Sequence, residues 1–331
     1  MAETSQSNTS NSHKRPGWMR ILEMRELFLV LIIVIGAVVM SFVTPTFLRT
    51  ANVKAILLGL SVEATIAAGM TILLVSGGLD MSVGSNMAFS GVVVTMLIKA
   101  GVPVFFAVVL GLAAGATVGL VNGAIIATWH VNPFIVTLGM LSIVRGLVLI
   151  LAQGVTIIDL PDAFTMIGQG EILGVQFPII FTILLVIVGD TLLRRSRFFR
   201  QNYYIGGNEK AAIMTGIKVN RVKIINYMIT GALAAVAGIF FTARLAAASV
   251  TIGTGLELKV ITASVIGGAS LSGGEGSIAG AFFGSLLMAT LINSLNILGI
   301  DVYWQNVFTG AILIFAVVLD NVLKRRREAA T

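Results

Sequence analysis

The sequence predicts an all-α, polytopic membrane protein of about ten transmembrane helices, and three observations predict it. Hydrophobic residues make up 56% of the 331 positions and charged residues 11%, with a mean hydropathy of +0.98, values that a soluble domain with a charged surface does not reach. The apolar runs are continuous over about 17 to 25 residues, the length of a membrane-crossing helix, and lack the ten-residue alternating segments of an outer-membrane barrel. The cations cluster beside those runs: Lys14, Arg15, Arg20 and Arg25, then Arg194, Arg195, Arg197, Arg200, Lys210, Lys218, Arg221 and Lys223, then 324–327. Cations beside spans mark the cytoplasmic side, so the net charge of +7 does not point to nucleic acid.

Taken in order, residues 1–20 are rich in Ser, Asn and Thr and read as a disordered cytoplasmic tail with no cleavable signal peptide. A single transmembrane domain is expected over 21–323, followed by a basic cytoplasmic tail at 324–331. Span 1, 27–43, carries no charge and stops at Thr44-Pro45. Span 2 covers 53–75, a glycine-rich break 76–85, span 3 continues to 98, span 4 covers 102–128, and a turn at 129–133 leads into span 5, 134–151. The interval 153–171 holds Asp159, Asp162 and Glu171 with no Lys or Arg and is expected outside. Span 6, 172–193, returns inward, and span 7, 224–243, leaves again.

The apolar piece 258–271 has only 14 residues, short for a crossing. Parity nevertheless favours one: without it, spans 279–297 and 303–322 would leave the 324–327 cations outside. The count is therefore ten, with both termini cytoplasmic. SGGLDMSVGSNMAFSG at 76–91 also resembles IGGASLSGGEGSIAG at 266–280, each joining an inward span to an outward one. Two like-oriented halves of this kind form a parallel internal repeat.

The polar interval 194–223 sets eight cations against one acid, Glu209. Gly206 and Gly207 break the chain, Asn208 caps a helix N-terminus, Glu209 suits its first turn, and Gly216 ends it. This predicts a short exposed helix, a handle that a cytoplasmic partner pushes.

Other motifs weigh against chemistry. LSGGE at 271–275 looks like the ATP-binding-cassette signature, but no GxxxxGK[ST] phosphate loop accompanies it, so the chain is expected to hydrolyse no ATP. Zero cysteines remove disulfides, thiolate metal sites and cysteine nucleophiles. His13 and His130 lack the carboxylate or cysteine companions of a metal or acid–base site. No catalytic, cofactor or metal residue is expected.

Gly77, Gly78, Asp80 and Ser82 in the first break, with Gly267, Gly268, Gly273 and Gly274 in the second, admit two readings. They make tight, closely packed turns, or they border the inner end of a conduit. Asp80, Asp190 and Asp320 read as cap or interface residues. Glu63 in span 2 and Arg145 in span 5 are intramembrane charges at similar depth, and two outcomes are open: they pair, or each meets separate polar groups.

Four blocks, GMTILLVSGGLDMSVGS (69–85), NPFIVTLGMLSIVRGL (132–147), GGNEKAAIMTGIKVNRVK (206–223) and GTGLELKVITASVIGGASLSGGEGSIAG (253–280), resemble the permease subunits of bacterial ribose-type, monosaccharide ABC importers. The resemblance runs from span 1 to span 10. It implies a type II importer fold in the bacterial inner membrane, with a second permease copy or related subunit enclosing the pathway. It also implies separate ATP-binding subunits that use the ATP, a periplasmic binding protein, and a small sugar as cargo. The family's coupling helix falls on Asn208 to Gly216. With Gly207 before it, Glu209, Ala211, Ala212 and Gly216 are similar to the EAA...G pattern of such permeases, and Lys210 interrupts the string. Other small solutes, such as a branched-chain amino acid, a nucleoside or a signal molecule, and an ion-coupled secondary transporter, are the alternatives.

Overall fold

The computed structural model describes residues 25–328, so the expected tail at 1–20 lies outside the described residues. The chain enters through α1 (Arg25–Val43), which stops just before Pro45, and α2 (Thr50–Val75). It continues through α3 (Val83–Lys99), α4 (Val104–Trp129) and α5 (Pro133–Leu151). The short helix α6 (Asp162–Gln169) and the hairpin β1 (Glu171–Ile172) with β2 (Val175–Gln176) precede α7 (Phe177–Arg195). Next come α8 (Arg197–Gly207), α9 (Glu209–Met214), α10 (Val219–Leu245), α11 (Leu256–Ile266), α12 (Ile278–Ile297) and α13 (Val302–Glu328).

Among the described residues, seven helices are long and apolar enough to cross a membrane: α1, α2, α4, α5, α7, α10 and α12. α3, with 17 residues, and the Val302–Val318 part of α13 are shorter apolar helices. The last helix carries its backbone on through 324–328, where Lys and Arg suit a helix C-terminus.

Four boundaries differ from expectation, each for a local reason. Span 6 begins at Phe177, because Leu173 and Gly174, both at positive φ, turn a hairpin where its first residues were expected. Gly206 and Gly207 are the last residues of α8 and do not break the chain; the break falls at Asn208, whose φ of −159° is extended. The polar interval 194–223 is mostly helical, since α7 reaches Arg195, α8 follows at once and α10 starts at Val219. Finally, helix α11 is over at Ile266, and residues 267–271, expected within span 8, belong to a glycine-rich turn.

The architecture is a bundle around α2. Every residue of α2 from Ala64 to Val75 is buried, the pattern of a helix that is apolar all round and enclosed by neighbours. α1, α4, α5 and α7 instead leave large apolar side chains such as Phe42, Phe106, Ile150 and Ile187 exposed, as lipid-facing helices do. α4 reaches the core through Gly111, Gly115, Gly119 and Gly123, one glycine per turn of helix. A Cβ on Gly119 would strike the Tyr227 carbonyl oxygen of α10, and Gly231 of α10 returns the fit against Gly115 and Gly119. Backbones packed this closely need the missing side chains.

Polar links show which helix ends share a face. Arg194 at the end of α7 pairs with Asp190 at 2.7 Å and with Glu26 at the start of α1 at 3.6 Å. Ser277, which precedes α12, donates to Glu26 at 3.3 Å, and Ser270 donates to Asp320 of α13 at 3.2 Å. On the opposite face, Lys54 near the start of α2 pairs with Glu171 at 3.1 Å, and Asn52 exchanges hydrogen bonds with Asn293 near the end of α12.

Candidate functional site

A short exposed helix, α9, lies within the expected stretch 208–216. Asn208 accepts a hydrogen bond from the Ala211 amide at 3.0 Å, starting α9, and Gly216 ends its turn at a φ of +84°. Gly207, Asn208, Lys210 and Ala211 are exposed, and so are Ile213 and Met214, the latter 87% exposed. Ile213 and Met214 are thus two apolar side chains left in solvent at the tip of a capped turn. They were not singled out from sequence, where an apolar pair in a polar loop is unremarkable.

Two other members of the expected contact set serve the handle's root. Ala212 is buried in a small cluster with Ile205, Val219 and Val222. Glu209 is bonded through both carboxylate oxygens to Lys223 of α10, at 2.8 Å each. α9 is thereby fastened to the first turns of α10, and a cavity of about 510 Å³ between it and α8 is lined by Tyr203, Tyr204, Asn208, Ala211 and Thr215.

The same root touches both glycine turns. The Gly274 amide donates to the Val75 carbonyl at 2.9 Å, joining the second turn to the end of α2. Gly206 sits against that junction, where a Cβ would collide with Val75 O and Gly274 N, and a Cβ on Gly273 would come 2.8 Å from Gly206 Cα. Tyr203 donates to the Gly276 carbonyl at 2.8 Å, and burial pushes the Tyr203 hydroxyl above its ordinary pKa, so it stays a donor. Asn226 of α10 bridges Asn202 of α8 at 2.8 Å and Ser76 at 3.4 Å. These contacts join α8 and α10, which hold α9, to both glycine turns.

Within the first turn, Gly77 adopts a φ of +78° and Gly78 lies under the Tyr227 hydroxyl. Asp80 accepts from the Ser82 amide at 2.8 Å and from the Ser82 hydroxyl at 2.6 Å, while Asn122 of α4 donates to Ser82 Oγ at 3.0 Å. Asp80 thus forms a turn just before α3, and its carboxylate also accepts from Asn122 of α4 at 3.4 and 3.5 Å. In the second turn, Gly267 packs on the Gly280 backbone of α12, and Gly268 takes a φ of +103°.

Residues 52–317 match the family described as branched-chain amino acid transport system / permease component. The ribose import permease of Bacillus subtilis is 40% identical over 285 residues, 86% of this chain and 88% of the relative. That of Escherichia coli K12 is 36% identical over 322 residues, 96% and 99% of the two chains. The L-arabinose ABC transporter permease protein of Azospirillum brasilense is 36% identical over 301 residues, 91% and 89%. The chain belongs to this family of ABC import permeases. No solved structure matches it. As a permease it is a multi-pass membrane component, and the ATPase is a separate protein.

The permease's intramembrane charges do not pair with one another. One Arg145 nitrogen, Nη1, donates to the carbonyls of Val250 at 2.7 Å and Ile252 at 3.0 Å, and the acid acting on Arg145 is Glu257. The base acting on Glu63 is Lys259. No ion pair among the described residues joins Glu63 to Arg145. The reason is a break in the chain between α10 and α11. Residues 246–255 are non-helical, and Gly253 packs backbone to backbone on Gly84 at the start of α3, so this segment descends to the level where α3 begins. Carbonyls in such a segment have no helical partner, and a guanidinium supplies one.

Proposed function

We propose that this permease, with a second copy of itself, forms the pathway of an ATP-driven monosaccharide importer in a bacterial inner membrane. A separate ATPase grips α9 from the cytoplasm, and a binding protein delivers sugar on the other side. The observation that carries this reading is the exposed tip Ile213 and Met214 on a turn whose root contacts both glycine turns. Closure of an ATPase dimer would displace the tip, and the displacement would pass through Gly206 and Tyr203 to the inner ends of α2 and α12. The sugar rests on the relatives, whose names specify ribose and arabinose.

Ten crossings with both termini cytoplasmic are supported by the polar links between helix ends. α11 has 11 residues, which at 1.5 Å each cover about half of a 30 Å core, and the irregular 246–255 segment completes its passage. Packing of α2 against α11, through Thr71 to Ser264 at 3.4 Å and a shared apolar cluster, supports a parallel repeat in which the two answer each other. A branched-chain amino acid is the second reading of the cargo, favoured by the family's own description.

The test is uptake into proteoliposomes holding the permease, its ATPase and its binding protein. Ile213→Asp with Met214→Asp is expected to cut ATP-driven uptake of D-ribose or L-arabinose at least tenfold and to lose the ATPase on affinity purification. Uptake that survives both substitutions counts against α9 as the lever. Uptake of L-leucine and of neither sugar favours the second cargo.

A further inference from the structure

Between α2, α3, α10 and α11 lies a cavity of about 210 Å³, walled by Gly59, Glu63, Met87, Phe241, Thr254 and Lys259 among others. We propose that it is a solute subsite on the transport path, in which Glu63 and Lys259 hold the hydroxyls of one neutral sugar from opposite sides. The proposal rests on the importer reading above and names where inside the protomer the cargo is held.

Four observations carry it. The first is charge without commitment. Asp80 and Arg145 are occupied by fixed hydrogen bonds, yet among the described residues neither the Glu63 nor the Lys259 side chain makes a hydrogen bond or an ion pair within 4.0 Å. Both side chains line the same cavity. Ionisable groups inside a membrane are costly, and two facing an open space mark a pathway. The second is placement. One wall includes Gly253 and Thr254, part of the irregular segment that meets the start of α3, and Leu256, where α11 begins. Transport sites form where helices are broken at depth in the bundle.

The third is chemistry. A carboxylate accepts from a hydroxyl and an ammonium donates to one, so the pair matches a polyol, whose every hydroxyl does both. The two charges cancel, so a neutral solute leaves neither group facing a repelling partner, and Phe241 supplies an apolar surface for the C–H face of a ring. The fourth is size, since at a share of about 30 Å³ per water the space takes the place of roughly seven waters, which suits a small polyol.

The experiment uses the complete complex in proteoliposomes with D-ribose and L-arabinose as probes. If the wild type imports neither, the sugar reading and this subsite fall together. If it imports one, Glu63→Gln and Lys259→Gln are each expected to lower that import at least tenfold, and the charge-swapped variant Glu63→Lys with Lys259→Glu is expected to stay equally low. Wild-type rates in the single variants overturn the subsite alone. So does recovery in the swap, because a purely structural ion pair tolerates exchange of its ends and an oriented binding site does not. The chain has no cysteine, so Thr254→Cys places one thiol on the cavity's exposed rim in an otherwise unaltered pair. Labelling by a polar thiol reagent is expected to slow at least threefold when sugar-loaded binding protein and ATP are present, and an unchanged rate overturns the proposal.

Discussion

Arg145 reaches from the middle of α5 to two carbonyls more than a hundred residues away in sequence, and this long reach explains why an arginine is tolerated inside the bilayer. The Val250 and Ile252 carbonyls lie in the irregular segment before α11, and each would otherwise be a buried acceptor with no partner. Losing the partner of a buried polar group costs about 1–3 kcal/mol apiece. Arg145→Met is therefore expected to lower the thermal midpoint of the purified permease clearly, with Arg145→Lys recovering part of the loss by restoring one donor group. A melting curve for Arg145→Met that superimposes on wild type would show that the segment holds itself. Asn208 presents the opposite case, a residue whose bond lies three positions away, and its role as a cap was plain from the order Gly-Gly-Asn-Glu.

Pairs of helices carry the next level of constraint. α4 and α10 meet along glycines spaced four apart, so the contact is backbone on backbone and admits no side chain. Gly119→Leu is expected to separate the pair and sharply reduce recovery of folded protein. Gly139→Leu on α5, where an added Cβ meets nothing within 4 Å, is expected to leave recovery unchanged. Equal behaviour of the two variants in size-exclusion profiles would remove the close-contact account. The spacing itself, VLGLAAGATVGLVNGA, was a readable signal of an interface, though not of which helix would fill it. The lever shows a similar division: its cap and terminating glycine were legible, whereas the burial of Ala212 and the Glu209–Lys223 bond depend on α10 folding back beside it.

For the molecule as a whole, the proposed inner and outer faces rest on links between helix ends and on the clustering of cations. The lever and both glycine turns share one face, and the 171–176 hairpin lies on the other. A single cysteine at Met214 is expected to react with an impermeant thiol reagent only in inside-out vesicles. One at Leu173, 99% exposed in the hairpin, is expected to react only in right-side-out vesicles. The reverse pattern would invert the topology and detach the lever from any cytoplasmic ATPase.

By itself the sequence determined that this chain is a helical membrane protein with a capped, cation-flanked handle between two spans, because hydropathy, charge placement and caps act over a few neighbouring residues. Within a helix each amide bonds four residues back, so such elements are written locally. Only the tertiary structure decided that α11 is an 11-residue helix preceded by irregular backbone, that Arg145 serves that backbone, and that Glu63 and Lys259 line one cavity. A broken helix must take its missing partners from wherever folding brings them. Hydropathy and spacing along the chain do not record that choice.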